Sequence, residues 1–188
     1  MADWRHTTFA VVDVEGNGQR PPNLVELAAV PIDDGVIGPP TSWLVRPPLP
    51  ITAIARGIHG IADSAVAERP VIAELAAEIR AALDGRVIVA HNAHVDIAVL
   101  TRELPGWKPV GVIDTLALSR QLLRGIVPSF GLSQIADKLG LATNLPTGLV
   151  PHRAGYDALV CAHLFVQLAE SHKAAIETVL AARQNRLF

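Results

Sequence analysis

Four acids and one histidine carry the chemistry of this chain. They are Asp13 and Glu15 in VVDVEGNG, Asp96 in HNAHVD, and His152 and Asp157 in HRAGYD. Carboxylate oxygens are the donors that magnesium and manganese prefer. An unperturbed imidazole titrates near neutrality and can take a proton from water. The four acids stand in or beside apolar runs, where ionised side chains are rare unless they are paired or used. Each residue also has a plainer reading. An Asp-x-Glu pair is usually solvated surface. Asp96 at the start of a helix fits an N-cap. Asn92 and His94 fit turn and surface positions. His152 and Asp157 fit a capping histidine and a partly exposed acid, and His6, His59, His163 and His172 show that a lone histidine means little here. The combination, not any member, points to metal-assisted hydrolysis.

These residues need elements that bring them together. Residues 8–14 read as a short β-branched strand, and two-residue alternation then turns Asp13 and Glu15 to one face and Val14 to the other. GNGQRPP is a turn. Residues 24–32 form a second strand, and Asp33-Asp34-Gly35 a hairpin turn. Residues 36–46 form a third strand, interrupted by Pro39 and Pro40 as an edge would be. Helical spacing follows over 70–83, with Ile72, Leu75, Ala76, Ile79 and Leu83 on one face. A short buried strand covers 86–90, a helix 95–104 and another strand 110–113. Helices are predicted over 115–123, 131–139, 154–169 and 171–184, with a breaker-rich loop over 144–151. The order βββ-α-β-α-β-α predicts a mixed sheet flanked by helices.

Composition narrows the function further. A chain of 188 residues is expected to form one domain, with a motif-bearing core over about 8–170 and a C-terminal helix over 171–186. No apolar run approaches a membrane span, and MADWRHTT has no signal-peptide pattern. The single Cys161 rules out an internal disulfide framework and fits a reducing compartment. The expected location is therefore the cytoplasm, with no membrane partner. The formal net charge is −2, unlike proteins that grip long nucleic acid by neutralising phosphates. A polynucleotide would be held briefly, by its end, through metals, or with help from a partner.

The three acidic segments resemble, in order, the three motifs of the DEDD family of 3′–5′ exonucleases, in the subgroup that uses histidine. GIHGIAD at 57–63, DTLALSR at 114–120 and SFGLSQIADKLGL at 129–141 resemble the family's intervening segments. The likeness is nearest to the proofreading epsilon subunit of bacterial DNA polymerase III and its stand-alone relatives. It implies an α/β, ribonuclease H-like fold with a five-stranded mixed sheet flanked by helices. It implies that Asp13, Glu15, Asp96 and Asp157 bind two magnesium or manganese ions and that His152 is the general base. A loop over 144–151 would let His152 close when substrate is present. The implied activity is release of nucleoside 5′-monophosphates from the 3′ ends of single-stranded DNA or RNA.

The resemblance also implies substrate contacts. The backbone of Gly16, Asn17 and Gly18 is expected near the terminal nucleotide. Ile58 and His59 are expected to line its sugar and base, and Asn92 to steady the second motif. Gly16 and Asn17 stand where the family usually carries threonines. Val95 stands where phenylalanine is common, which removes stacking surface. A proofreading module that depends on a DNA polymerase is one alternative. The segment 171–188 would then be a docking helix, although the short stretch beyond Asp157's own helix favours a stand-alone enzyme. A domain that binds nucleic-acid ends without catalysis is the other, and the intact five-residue set argues against it.

Overall fold

The computed structural model describes residues 3–143 and 145–184. Asn144 of the expected loop, and residues 185 and 186 of the expected C-terminal helix, lie outside them. Six strands form one mixed sheet: β1 (Phe9–Gly16), β2 (Leu24–Asp33), β3 (Val36–Ile37), β4 (Thr41–Leu44), β5 (Val87–Ala90) and β6 (Val112–Asp114). Its order is β3-β2-β1-β5-β6, with β4 also paired to β2. β1 and β2 are antiparallel, from Phe9 opposite Ile32 to Glu15 opposite Glu26. β5 runs parallel to β1, and β6 parallel to β5.

The third strand divides into β3 and β4, both on β2. Pro39 and Pro40 lie between them and have no N–H to give a ladder. The expected five-stranded sheet thus has its fifth position filled by two segments. The β2–β3 turn takes positive φ at Asp34 (52°) and Gly35 (77°), as a tight hairpin with the sheet's own twist requires.

The helices are α1 (Ala53–His59), α2 (Asp63–Val66), α3 (Ile72–Leu83), α4 (His94–Glu103), α5 (Thr115–Leu122), α6 (Leu132–Leu139), α7 (Ala154–Ser171) and α8 (Lys173–Gln184). The periodicity did not predict α1 or α2, nor the 3-10 turn Trp4–His6. All three are too short to show a helical period. α1 is set by its ends instead: the Ala55 N–H donates to Thr52 Oγ1 (3.2 Å), and Gly60 closes it at φ 73°.

β1 is covered on both faces, as a strand with a parallel neighbour must be. Phe9 and Val11 pack into a core with Ala158, Cys161 and Phe165 of α7, Ile135 of α6 and Ile176 of α8. Ala10 and Val12 pack into a second core with Ile79 and Leu83 of α3 and Val99 and Leu100 of α4. The same alternation carries Asp13 and Glu15 to the α7 face, while Val14 joins the α4 side. Among the described residues no helix is long and apolar enough to cross a membrane.

Candidate active site

The end of β1 meets the start of α7, and three acids converge there. Asp13, Glu15 and Asp157 each offer a carboxylate oxygen, all within 4.8 Å of one another. Asp157 lies in the first turn of α7, whose Ala154 and Ala158 are fully buried. Small residues at those positions let the helix lie close to the sheet, which brings Asp157 over β1.

Asp96 reaches the same place from α4. β5 pairs with β1 only from Phe9 to Val11, so β1 runs on past its neighbour. On that unpaired stretch the Val14 N–H donates to Asp96 Oδ1 (3.1 Å). Asp96 is 5% exposed. It does not cap its helix, whose N-cap is Ala93. The turn before α4 takes positive φ at Asn92 (70°), and the Asn92 N–H donates to Asp114 Oδ1 (3.0 Å). Asp114 also caps α5 by accepting from Leu116 N (2.8 Å). Asn92 thus steadies the segment through its backbone, and Asp114 is a supporting acid that the motif reading passed over.

The cluster is electrostatically unfavourable as it stands. Burial, then repulsion from Asp96, Glu15 and Asp157, holds the Asp13 pKa well above the usual carboxylate range. Burial and the charges of Asp157 and Glu26 push Glu15 up to about 8, with Arg153 offsetting part. Burial raises Asp96 to about 7 against the two backbone N–H donors that favour its ionised form. Burial also raises Asp157, and the charge and backbone N–H of His152 oppose it. Like charges this close call for a cation or a shared proton. An all-oxygen donor set fits a hard divalent ion.

His152 lies in the turn before α7, exposed, at φ 61°. The next residue, Arg153, belongs to an ion pair that the motifs did not flag. Arg153 donates to both oxygens of Glu26, at 2.8 and 2.5 Å, and the Ala154 N–H donates to Glu26 Oε2 at 3.0 Å. Glu26 is 3% exposed and lies opposite Glu15 in the β1–β2 register. The signal was present: an acid within the apolar run LVELAAV meets the criterion that singled out Asp13.

Beside the acids lies a groove of about 420 Å³. Gly16, Gly18, Ile58, His59 and Val95 line it, together with Arg20, Ile54 and Val99. Gly18 takes φ 78°, and a Cβ there would stand 2.1 Å from Thr52 Oγ1, so only glycine fits. Asn17 is not among the lining residues. It is fully buried, and its N–H and C=O are engaged by Asn23 O and Thr52 N. Its side chain donates to Leu49 O (3.1 Å) and accepts from Asn23 N (2.9 Å) and Gln19 N (3.2 Å). Asn17 therefore builds the loop. His59 is held by two hydrogen bonds. Its Nδ1 accepts from Ile61 N (3.0 Å), which leaves Nε2–H to donate to Gly16 O (3.2 Å). Burial lowers its pKa, against the hydrogen bond to Gly16.

Comparison with known proteins agrees with this geometry. The exonuclease (RNase_T) family profile matches residues 10–165, a span that holds all five motif residues. Exodeoxyribonuclease 10 of Escherichia coli K12 is 38% identical over 159 residues, 84% of this chain and 67% of that protein. The PolC-type DNA polymerase III of Thermotoga petrophila is 32% identical over 98% of this chain, which spans only 13% of that enzyme. The DNA polymerase III subunit epsilon of Treponema pallidum is 29% identical over 90% of this chain and 82% of that subunit. Among solved structures, exonuclease X in complex with 5′ overhanging duplex DNA superposes with a TM-score of 0.74 at 32% identity. That match covers 88% of this chain and 93% of the other. Fold and acid cluster together define the class, a ribonuclease H-like α/β nuclease of the DEDD type. The chain belongs to the exonuclease family.

Proposed function

We propose that the chain is a metal-dependent 3′–5′ exonuclease that releases nucleoside 5′-monophosphates from the 3′ end of single-stranded nucleic acid. The observation that carries this reading is the convergence of Asp13, Glu15 and Asp157 within 4.8 Å. Those three acids and Asp96 would hold the metal. Two magnesium or manganese ions there would supply Lewis-acid neutralisation of the phosphate and of the leaving oxygen. His152 takes the proton of the attacking water. The water oxygen bonds to phosphorus and the P–O3′ bond breaks. The 3′-oxygen of the shortened strand then takes a proton from solvent.

The groove beside Glu15 receives the terminal nucleotide. Its apolar walls, Ile54, Ile58 and Val95, exclude water from the base, and the Gly16–Gly18 backbone allows close approach. The exonuclease X complex with 5′ overhanging duplex DNA favours DNA as the substrate. The test is a time course on labelled DNA and RNA strands of several lengths, with manganese and with EDTA. Metal-dependent shortening by the wild type, lost in Asp13→Asn, is the expected result; equal turnover by Asp13→Asn would remove the reading. The similarity to subunit epsilon supports a second reading, in which a DNA polymerase partner is needed. Turnover by the purified chain alone would exclude it.

A further inference from the structure

We propose that Glu26 and Arg153 act as a pair of positioning residues that hold His152 for catalysis. The inference rests on the hydrolytic reading above, with His152 as the base. α7 has no cap of its own: Arg153 at its N-cap makes no side-chain cap hydrogen bond. Glu26 supplies the cap from β2, accepting from the Ala154 N–H while both its oxygens bind the Arg153 guanidinium. A carboxylate at a helix N-terminus is favourable, and a bidentate arginine fork fixes direction as well as distance.

The body of α7 does not need this clamp. Ala154, Ala158, Cys161 and Phe165 sit in the core and already place Asp157. Ahead of the helix, Leu149 packs against the edge of the core, and the three residues that follow it are exposed. His152 is exposed, its backbone is left-handed, and its chain leads into the exposed residues Val150 and Pro151. The clamp grips the one residue between that turn and the helix. Glu26 has a second neighbour, because it faces Glu15 across the ladder and adds to its repulsion. Arg153 cancels part of that charge. A buried acid beside a metal cluster is costly unless paired, and this pairing is what orients the turn.

A double-mutant cycle tests the inference. Arg153→Lys keeps the charge near Glu15 but loses the two-pronged grip. It should lower kcat about tenfold, as small misplacements of a reacting group do, with KM within about twofold. The metal-induced rise in Tm should persist, because Asp157 stays in place. In a His152→Ala background the same substitution should change kcat less than about twofold, since its effect passes through the histidine. Glu26→Gln should behave alike. If its burial prevents folding, Arg153→Lys carries the cycle, its side chain being 35% exposed. Hydrogen exchange of metal-free protein should speed up over 150–156 and not in the later turns of α7. Equal losses in both backgrounds, or no loss in either, would overturn the positioning role alone. Full turnover by His152→Ala would overturn the reading of the base, and this inference with it.

Discussion

Replacing Asp96 by asparagine should stabilise the metal-free fold above neutral pH while abolishing hydrolysis. Folding carries this carboxyl from 3.8 to about 7, chiefly by burial, with repulsion from Asp114. The folded state therefore holds the proton more tightly than the unfolded chain. That contribution is fully present below about pH 4 and is lost as pH rises through about 7. At higher pH the wild type keeps an ionised acid that is 5% exposed. A shift of about three units sets a ceiling of about 4 kcal/mol, at about 1.4 kcal/mol per unit. Neighbouring acids share protons with Asp96, so one substitution should relieve only part, about 1–3 kcal/mol. For a chain of this size that is a rise in Tm of about 3–10 °C. Asparagine keeps an oxygen for the Val14 N–H, so no hydrogen bond need be lost. Thermal unfolding in EDTA should show the gain near pH 8, shrinking toward pH 5. Manganese should raise the Tm of the wild type more than that of the variant. A variant that melts at or below the wild type near pH 8 in EDTA would refute the reasoning.

Three further outcomes are expected. His152→Ala should keep the metal-induced rise in Tm yet lose most turnover, because the base is not a ligand; loss of the rise would make His152 a ligand. Asn17→Ala removes the side chain that holds Gln19, Asn23 and Leu49, and should cost about 2–4 kcal/mol of stability in chemical denaturation. Val95→Phe, at a 42% exposed groove position, should lower KM about fivefold or more, since base stacking on an aromatic is worth about 1–3 kcal/mol; an unchanged KM would argue that no base lies there.

Much of the sheet was legible because alternation and turn chemistry are local. VVDVEGNG specifies a strand with two acids on one face, and Asp33-Asp34-Gly35 a tight hairpin. The split of the third strand follows from two prolines visible in the sequence. The convergence of Asp96 with Asp13 was not legible from periodicity, because it depends on β5 stopping at Ala90 while β1 runs on to Gly16. Motif order supplied that link. The clamp from Glu26 to Arg153 spans 127 positions and joins β2 to the turn before α7, a contact that no local pattern encodes. The role of Asn17 was not legible either: GNGQRPP reads as a turn, and nothing local shows that its Asn17 side chain is buried as the hub that shapes the loop. α1 and α2 were missed because helices this short are set by Thr52, Gly60 and tertiary contacts rather than by period.

The most direct test of metal-dependent attack from a 3′ end is degradation by the purified chain of linear and circular forms of one single-stranded DNA, in manganese and in EDTA. The four acids around the end of β1 and the groove beside Glu15 predict stepwise loss of mononucleotides from the linear strand in manganese only. The circle should stay intact. Cutting of the circle at a rate comparable to the linear strand, or undiminished hydrolysis in EDTA, would contradict the account.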